Sequence, residues 1–218
     1  MHIEPGIIAH GKVLAANGTL AATLAWYSRS LLHQPALILR TLLAAVFFSL
    51  FMQSFHMNVG PSELHFVGAL PIYLTLGFVP TLFGFALGLL LQGLIFVPTD
   101  LPHLAVNSLS LIVPLIAVHH TLGKTLRRTT NGHHIDLKVI LKLDSAYYAG
   151  VTSMVGFWLL VSDISTPLAA WATFASSYLV VVMLEPVFTY FILRVLKRYQ
   201  HTSVVRTCFA VSGYTLIG

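Results

Sequence analysis

A histidine at position 2 has chemistry that a histidine elsewhere in a chain lacks. The sequence opens MHIEPG. A free Met1 amine, the His2 amide nitrogen and the His2 ring Nδ1 can close two fused chelate rings in one plane around one ion. A single further imidazole completes a square-planar set of four nitrogens, the geometry that suits Ni(II), Cu(II) or low-spin Co(II). Because the amide must lose its proton, the ion has to be a strongly polarising transition metal; Mg and Ca prefer oxygen. The opening has no basic n-region, apolar core or small-residue cleavage site. Met1 and His2 are therefore expected to begin the mature protein, with the bulky second residue protecting Met1 from aminopeptidase removal.

The other histidines need a scaffold to be placed on, and composition supplies its class. The 218 residues are 56% hydrophobic and 9% charged, with mean hydropathy +0.83. Soluble domains carry roughly 25% charged residues, so this chain cannot cover a water-facing surface. Continuous apolar runs such as LLAAVFFSLF and FGFALGLLLQGLIFV suit helices crossing ~30 Å of hydrocarbon, not the alternating strands of a β-barrel. The expected fold is an all-α, polytopic membrane bundle forming one domain over residues 1–218. It has about seven spans, at 7–32, 36–55, 64–79, 80–97, 101–119, 141–161 and 168–196. Pro80 is the punctuation between the third and fourth. The single Cys208 excludes an internal disulfide. The pI of 9.5 reads as a topology signal, with no nucleic-acid partner implied.

Basic residues orient the bundle. Arg29, Arg40, Lys124, Arg127, Arg128, Lys138, Lys142, Arg194, Lys197, Arg198 and Arg206 gather on one side, leaving Lys12 alone on the other. By the positive-inside rule the N-terminus is expected outside, and the C-terminus, with a tail over 197–218, in the cytoplasm. The outer face then collects His2 on an extracytoplasmic tail (residues 1–6), His56 and His65 around the second-to-third span loop, and His103 at the start of the fifth span. Each alone reads as a helix-end residue. Together they offer neutral imidazoles, a common transition-metal ligand. His119, His120, His133 and His134 read instead as part of a solvated polar loop.

MHIEPG, SELHFVGALP, LGLLLQGLIF and AVNSLSLIVPLIAV resemble the CbiM/NikM family, the substrate-binding membrane components of energy-coupling-factor transporters for cobalt and nickel. The likeness covers most of the chain, loosely after Leu143. The family opening is Met-His-Ile-Pro-(Asp/Glu)-Gly, and here Glu4 and Pro5 stand in reversed order. The resemblance implies Co(II) or Ni(II) as transported substrate, with no organic cofactor. It implies a metal held by the Met1 amine, the His2 amide, the His2 imidazole and the imidazole of His65. It also implies partners in a multi-pass bacterial inner-membrane complex: a transmembrane coupling component, separate ATPase subunits and a small accessory membrane subunit. The chain itself is then a transporter subunit, not an enzyme, and it contains no ATPase domain; Gly123-Lys124-Thr125 lacks the first P-loop glycine, with Val118 in its place.

Other positions carry secondary roles. Glu63 can accept from the amine or a ring N–H, since metal-bound histidines usually donate their other nitrogen. Gln92 and Asn107 match polar family positions and either line the metal path or bond between helices. Gly84 and Gly88 form a GxxxG pair for close helix packing. Glu185 inside the last span calls for a partner or a proton, whereas Asp144, near Lys142, is expected to snorkel to the boundary. Two other classes compete: an ATP-independent nickel or cobalt permease, whose H-x4-D-H motif is missing here, and a membrane metalloenzyme, which would need an open coordination position.

Overall fold

The computed structural model describes residues 8–59, 62–123, 133–164 and 166–216. Helix α1 (His10–His33) ends at Gln34, whose extended backbone (φ −138°, ψ 90°) is what a residue before proline prefers. Pro35 then opens α2 (Pro35–Ser54), where its missing N–H costs nothing. An antiparallel hairpin follows, β1 (His56–Val59) with β2 (Ser62–His65), in a register that sets His56 opposite His65. After α3 (Ala69–Leu76) and α4 (Phe78–Ile95) a 3-10 turn (Pro98–His103) leads into α5 (Leu104–Val118) and a π-turn (His119–Gly123). Asp136 caps α6 (Leu137–Leu160) by accepting from the Val139 N–H at 2.7 Å. The long α7 (Leu168–Arg198) and the short α8 (Ser203–Cys208) complete the helices. A parallel pair, β3 (His133–Ile135) with β4 (Tyr214–Leu216), ties the chain after α8 to the segment before α6.

Helical membrane architecture is borne out. Among the described residues four helical stretches, Pro35–Ser54, Phe78–Ile95, Pro98–Gly123 and Leu168–Arg198, are long and apolar enough to cross a membrane. At 24 residues each, α1 and α6 reach about 36 Å at 1.5 Å per residue, but polar residues interrupt their apolar run. Leu179, Val180, Met183, Leu184 and Phe191 of α7 are exposed, the lipid-facing surface of a bundle whose core lies elsewhere.

The expected third helix over 64–79 is corrected. Its first part is strand and extended chain, and α3 has only eight residues, about 12 Å of rise against ~30 Å of hydrocarbon. The break before α4 falls at Gly77 (φ 97°), and Pro80 sits harmlessly in the first turn of α4. The geometry of α2 and α4 explains why this stretch must still traverse the bundle. Gly84 lies against Ala44, Gly88 against Phe48, and Gln92 against Gln53. Both numbers rise together, so the two helices run parallel and the chain between them has to return to the starting end. Non-helical backbone at membrane depth is tolerated only where protein covers it, and every residue of α3 is buried. Gly68 marks the start of the half-helix at φ 62°, with the Phe51 ring where a Cβ would stand.

Contacts at each end of the helices sort them into two groups. Lys12 pairs with Asp163 at 2.7 Å, joining the start of α1 to the α6–α7 connection. At the opposite end Tyr27 meets His120 (3.1 Å) and Arg40 donates to the Phe209 carbonyl (3.0 Å). Lys12, the basic residue set apart in the sequence, is thus matched by an acid. Lys124, Arg127 and Arg128 fall outside the described residues.

Candidate metal site

His65 ends β2 where the chain turns down into the bundle, and it is buried (6% exposed). Its Nδ1 lies 3.4 Å from the Met52 carbonyl in the last turn of α2. A carbonyl can only accept, so the favoured tautomer carries its proton on Nδ1 and its lone pair on Nε2. That is the arrangement by which proteins orient a metal-binding imidazole. The hairpin register brings His56 beside it: the two rings are 6.1 Å apart and inclined by 27°. His56 is exposed, so the pair presents one outer and one inner imidazole at the same end of the bundle.

The other expected residues are distributed around this end. Gln92 is buried and fully engaged, donating to the Ser49 carbonyl at 2.7 Å and accepting from the Gln53 amide at 2.8 Å. Of its two anticipated roles, the structure shows the bond between helices. His103 is buried at the start of α5, and Asn107 is buried one helical turn deeper. Glu63 lies opposite Asn58 in the hairpin, with its side chain outside the described residues. Met1 and His2 are outside them too. The first described residue, Ile8, is already buried in the core. Among the described residues, no group of three or more His, Cys, Asp or Glu side chains could hold a metal ion.

Two expectations on the opposite half are corrected. Asp144 does not snorkel: it is fully buried in α6, facing α7 and not the boundary. His119 is not in a solvated loop. It is buried, accepts or donates to the Tyr73 hydroxyl at 2.9 Å, and stacks face to face on Phe78 at 3.7 Å. The π-turn turns the ring inward, an effect a polar sequence stretch does not announce. Glu185 has the partners its position demanded. It accepts from the Leu70 N–H (3.0 Å) and the Tyr148 hydroxyl (2.5 Å). Sequence reasoning missed Met52 and Gln53; the polar Gln53 in the apolar run FFSLFMQSF was the available signal.

With the geometry established, known proteins give the comparison. The family model described as "Cobalt uptake substrate-specific transmembrane region" matches residues 2–203. No curated relative matches the chain at a significant level. Among solved structures, one titled "Crystal Structure of an transition metal transporter" superposes with a TM-score of 0.69 at 17% identity, covering 94% of this chain and 96% of that one. At that identity the likeness establishes the shared fold. The family match spans nearly the whole chain, including the hairpin with His65 and all the long helices: this protein belongs to the CbiM family of cobalt-uptake transmembrane proteins.

Proposed function

We propose that the chain is the substrate-capture component of an energy-coupling-factor importer for Co(II) or Ni(II). It binds the ion at the outer end of the bundle and releases it inward when partner ATPase subunits act through a transmembrane coupling component. The Met1 amine, the His2 amide and ring, and the His65 ring form the square-planar set. One observation carries this reading: His65 is buried at the bundle end where α1 begins, with its Nδ1 against a carbonyl, which favours the tautomer whose lone pair sits on Nε2, the form in which an imidazole ligates a metal. The excess of Lys and Arg at the other end supports placing that end in the cytoplasm, and the chain is read as crossing seven times, the third crossing being half extended chain. Glu63 and His56 stand beside the site in the hairpin; His103 and Asn107 line the way below it.

Equilibrium titration of the full chain with Ni(II), with a free N-terminus, tests the ligand set. His65→Ala is expected to lower affinity by more than about 100-fold, beyond the 10–100-fold typical of an outer-shell partner. His56→Ala and His103→Ala are expected to cost less. A His56→Ala variant that bound worse than His65→Ala would refute the assignment. An uncleaved N-terminal tag removes the amine donor, and uptake with the partner subunits present is expected to be abolished. Full uptake by the tagged protein would remove Met1 and His2 from the site.

A further inference from the structure

Deep in the bundle two acids and three tyrosines meet, and metal capture uses none of them. Glu185 is fully buried, and both its oxygens act as acceptors: Oε1 from the Leu70 N–H in the first turn of α3, Oε2 from the Tyr148 hydroxyl. The Gly68 backbone lies within its reach as well. Asp144, also fully buried, is close enough to feel the charge of Glu185. No donor among the described residues reaches either Asp144 oxygen, and the one hydrogen-bonding group beside it is the Glu185 carboxylate, which can only accept. The buried Tyr147 hydroxyl is likewise unpartnered among them. Tyr178 of α7 stacks on Tyr148 with ring centroids 5.0 Å apart.

The titratable groups facing the acids are therefore each other and the tyrosines of α6 and α7. From α3 come only backbone N–H groups. No Lys, Arg or His among the described residues offsets a charge here, and no third ligand stands by to hold a metal. Two ionised carboxylates side by side without a cation cannot both persist in a dry interior. Glu185 is surrounded by donors, which suits an ionised acceptor. Asp144 has none, which suits a protonated acid.

We propose that Asp144 and Glu185 form a proton-holding site, with the single proton on Asp144 and Glu185 kept as the acceptor that fixes the first turn of α3. The site is independent of the metal reading. Its mechanical reach is short: Leu70 lies five residues beyond His65 along the same buried segment. A change of proton occupancy would therefore act on the hold on α3, the element that joins the outer hairpin to the inner end.

Infrared spectroscopy of the purified full chain in lipid nanodiscs at neutral pH reads the proton directly. The wild type is expected to show the carbonyl stretch of one protonated carboxylic acid, moving to lower frequency in D2O. Asp144→Asn is expected to lose that band, because Glu185 alone retains its donors and stays ionised. Glu185→Gln is expected to keep it. A wild-type spectrum without the band overturns the proposal even if neither variant folds. A band that survives Asp144→Asn, or vanishes in Glu185→Gln, places the proton on Glu185 and overturns the assignment.

Discussion

The α2–α4 seam and the α3–α6–α7 junction bury polar groups in opposite ways. In the seam every polar contact is neutral and closed. Ser49 donates to the Gly88 carbonyl at 3.1 Å, while Gln92 bridges Ser49 and Gln53. Gly84 and Gly88 let the two backbones approach, which confirms the GxxxG reading of the sequence. At the junction the groups are ionisable, and a half-helix of eight residues is held at its first turn by one carboxylate. Its middle is held by Tyr73 on His119. Neutral pairs between close-packed helices lock two elements in one register. Ionisable anchors on a short, non-lipid-facing helix make a hold that depends on charge. The contrast separates a fixed frame from the segment that carries His65.

The contrast can be broken from either side, with stability read by tryptophan fluorescence during denaturant unfolding in nanodiscs. Trp158 and Trp171 are suitable reporters, since both indoles are hydrogen-bonded within the helical core. Glu185→Ala should cost the most. It leaves the Leu70 N–H and the Tyr148 hydroxyl without their acceptor, each worth about 1–3 kcal/mol when buried and unsatisfied. The expected loss is about 4 kcal/mol; a loss below about 1 kcal/mol would show that the carboxylate does not anchor α3. Gly84→Val should cost about 1–3 kcal/mol, because even a Cβ at that position would lie 2.5 Å from the Ala44 Cβ. Gly18→Ala in α1, with nothing within 4 Å of the added carbon, is the control that should be neutral or slightly stabilising. If both glycine variants behaved alike, close approach would not define the seam. Of the destabilising changes Gln92→Leu should have the smallest effect, about 1 kcal/mol, since bonds between membrane helices average ~0.6 kcal/mol each. Unchanged Ni(II) affinity in Gln92→Leu would sharpen the division between frame and site; lost affinity would move Gln92 into the metal path.

What the sequence determined by itself is the class and the ends. Scarce charge and unbroken apolar runs require helices in lipid, because of the two arrangements that satisfy backbone in hydrocarbon, helix and closed barrel, the barrel would need alternating segments. The boundaries of α1, α2 and α7 follow from local punctuation: Gln34-Pro35 between the first two, Pro167 before the last. His65 could be singled out because its motif is contiguous, and the close packing at Gly84 and Gly88 was legible because their spacing is helical. The tertiary structure alone decided the rest. Apolar residues 64–79 read as one helix, since hydropathy does not distinguish a helix from extended chain covered on all sides. Only the parallel run of α2 and α4 shows why the backbone between them can be half unwound. The pairing of Leu70 with Glu185, 115 residues apart, has no local signature, and neither does the meeting of Asp144 with Glu185. A hydrophobic pattern specifies how much of a helix is buried, but which polar groups face each other depends on the rotation and depth of each helix in the packed bundle.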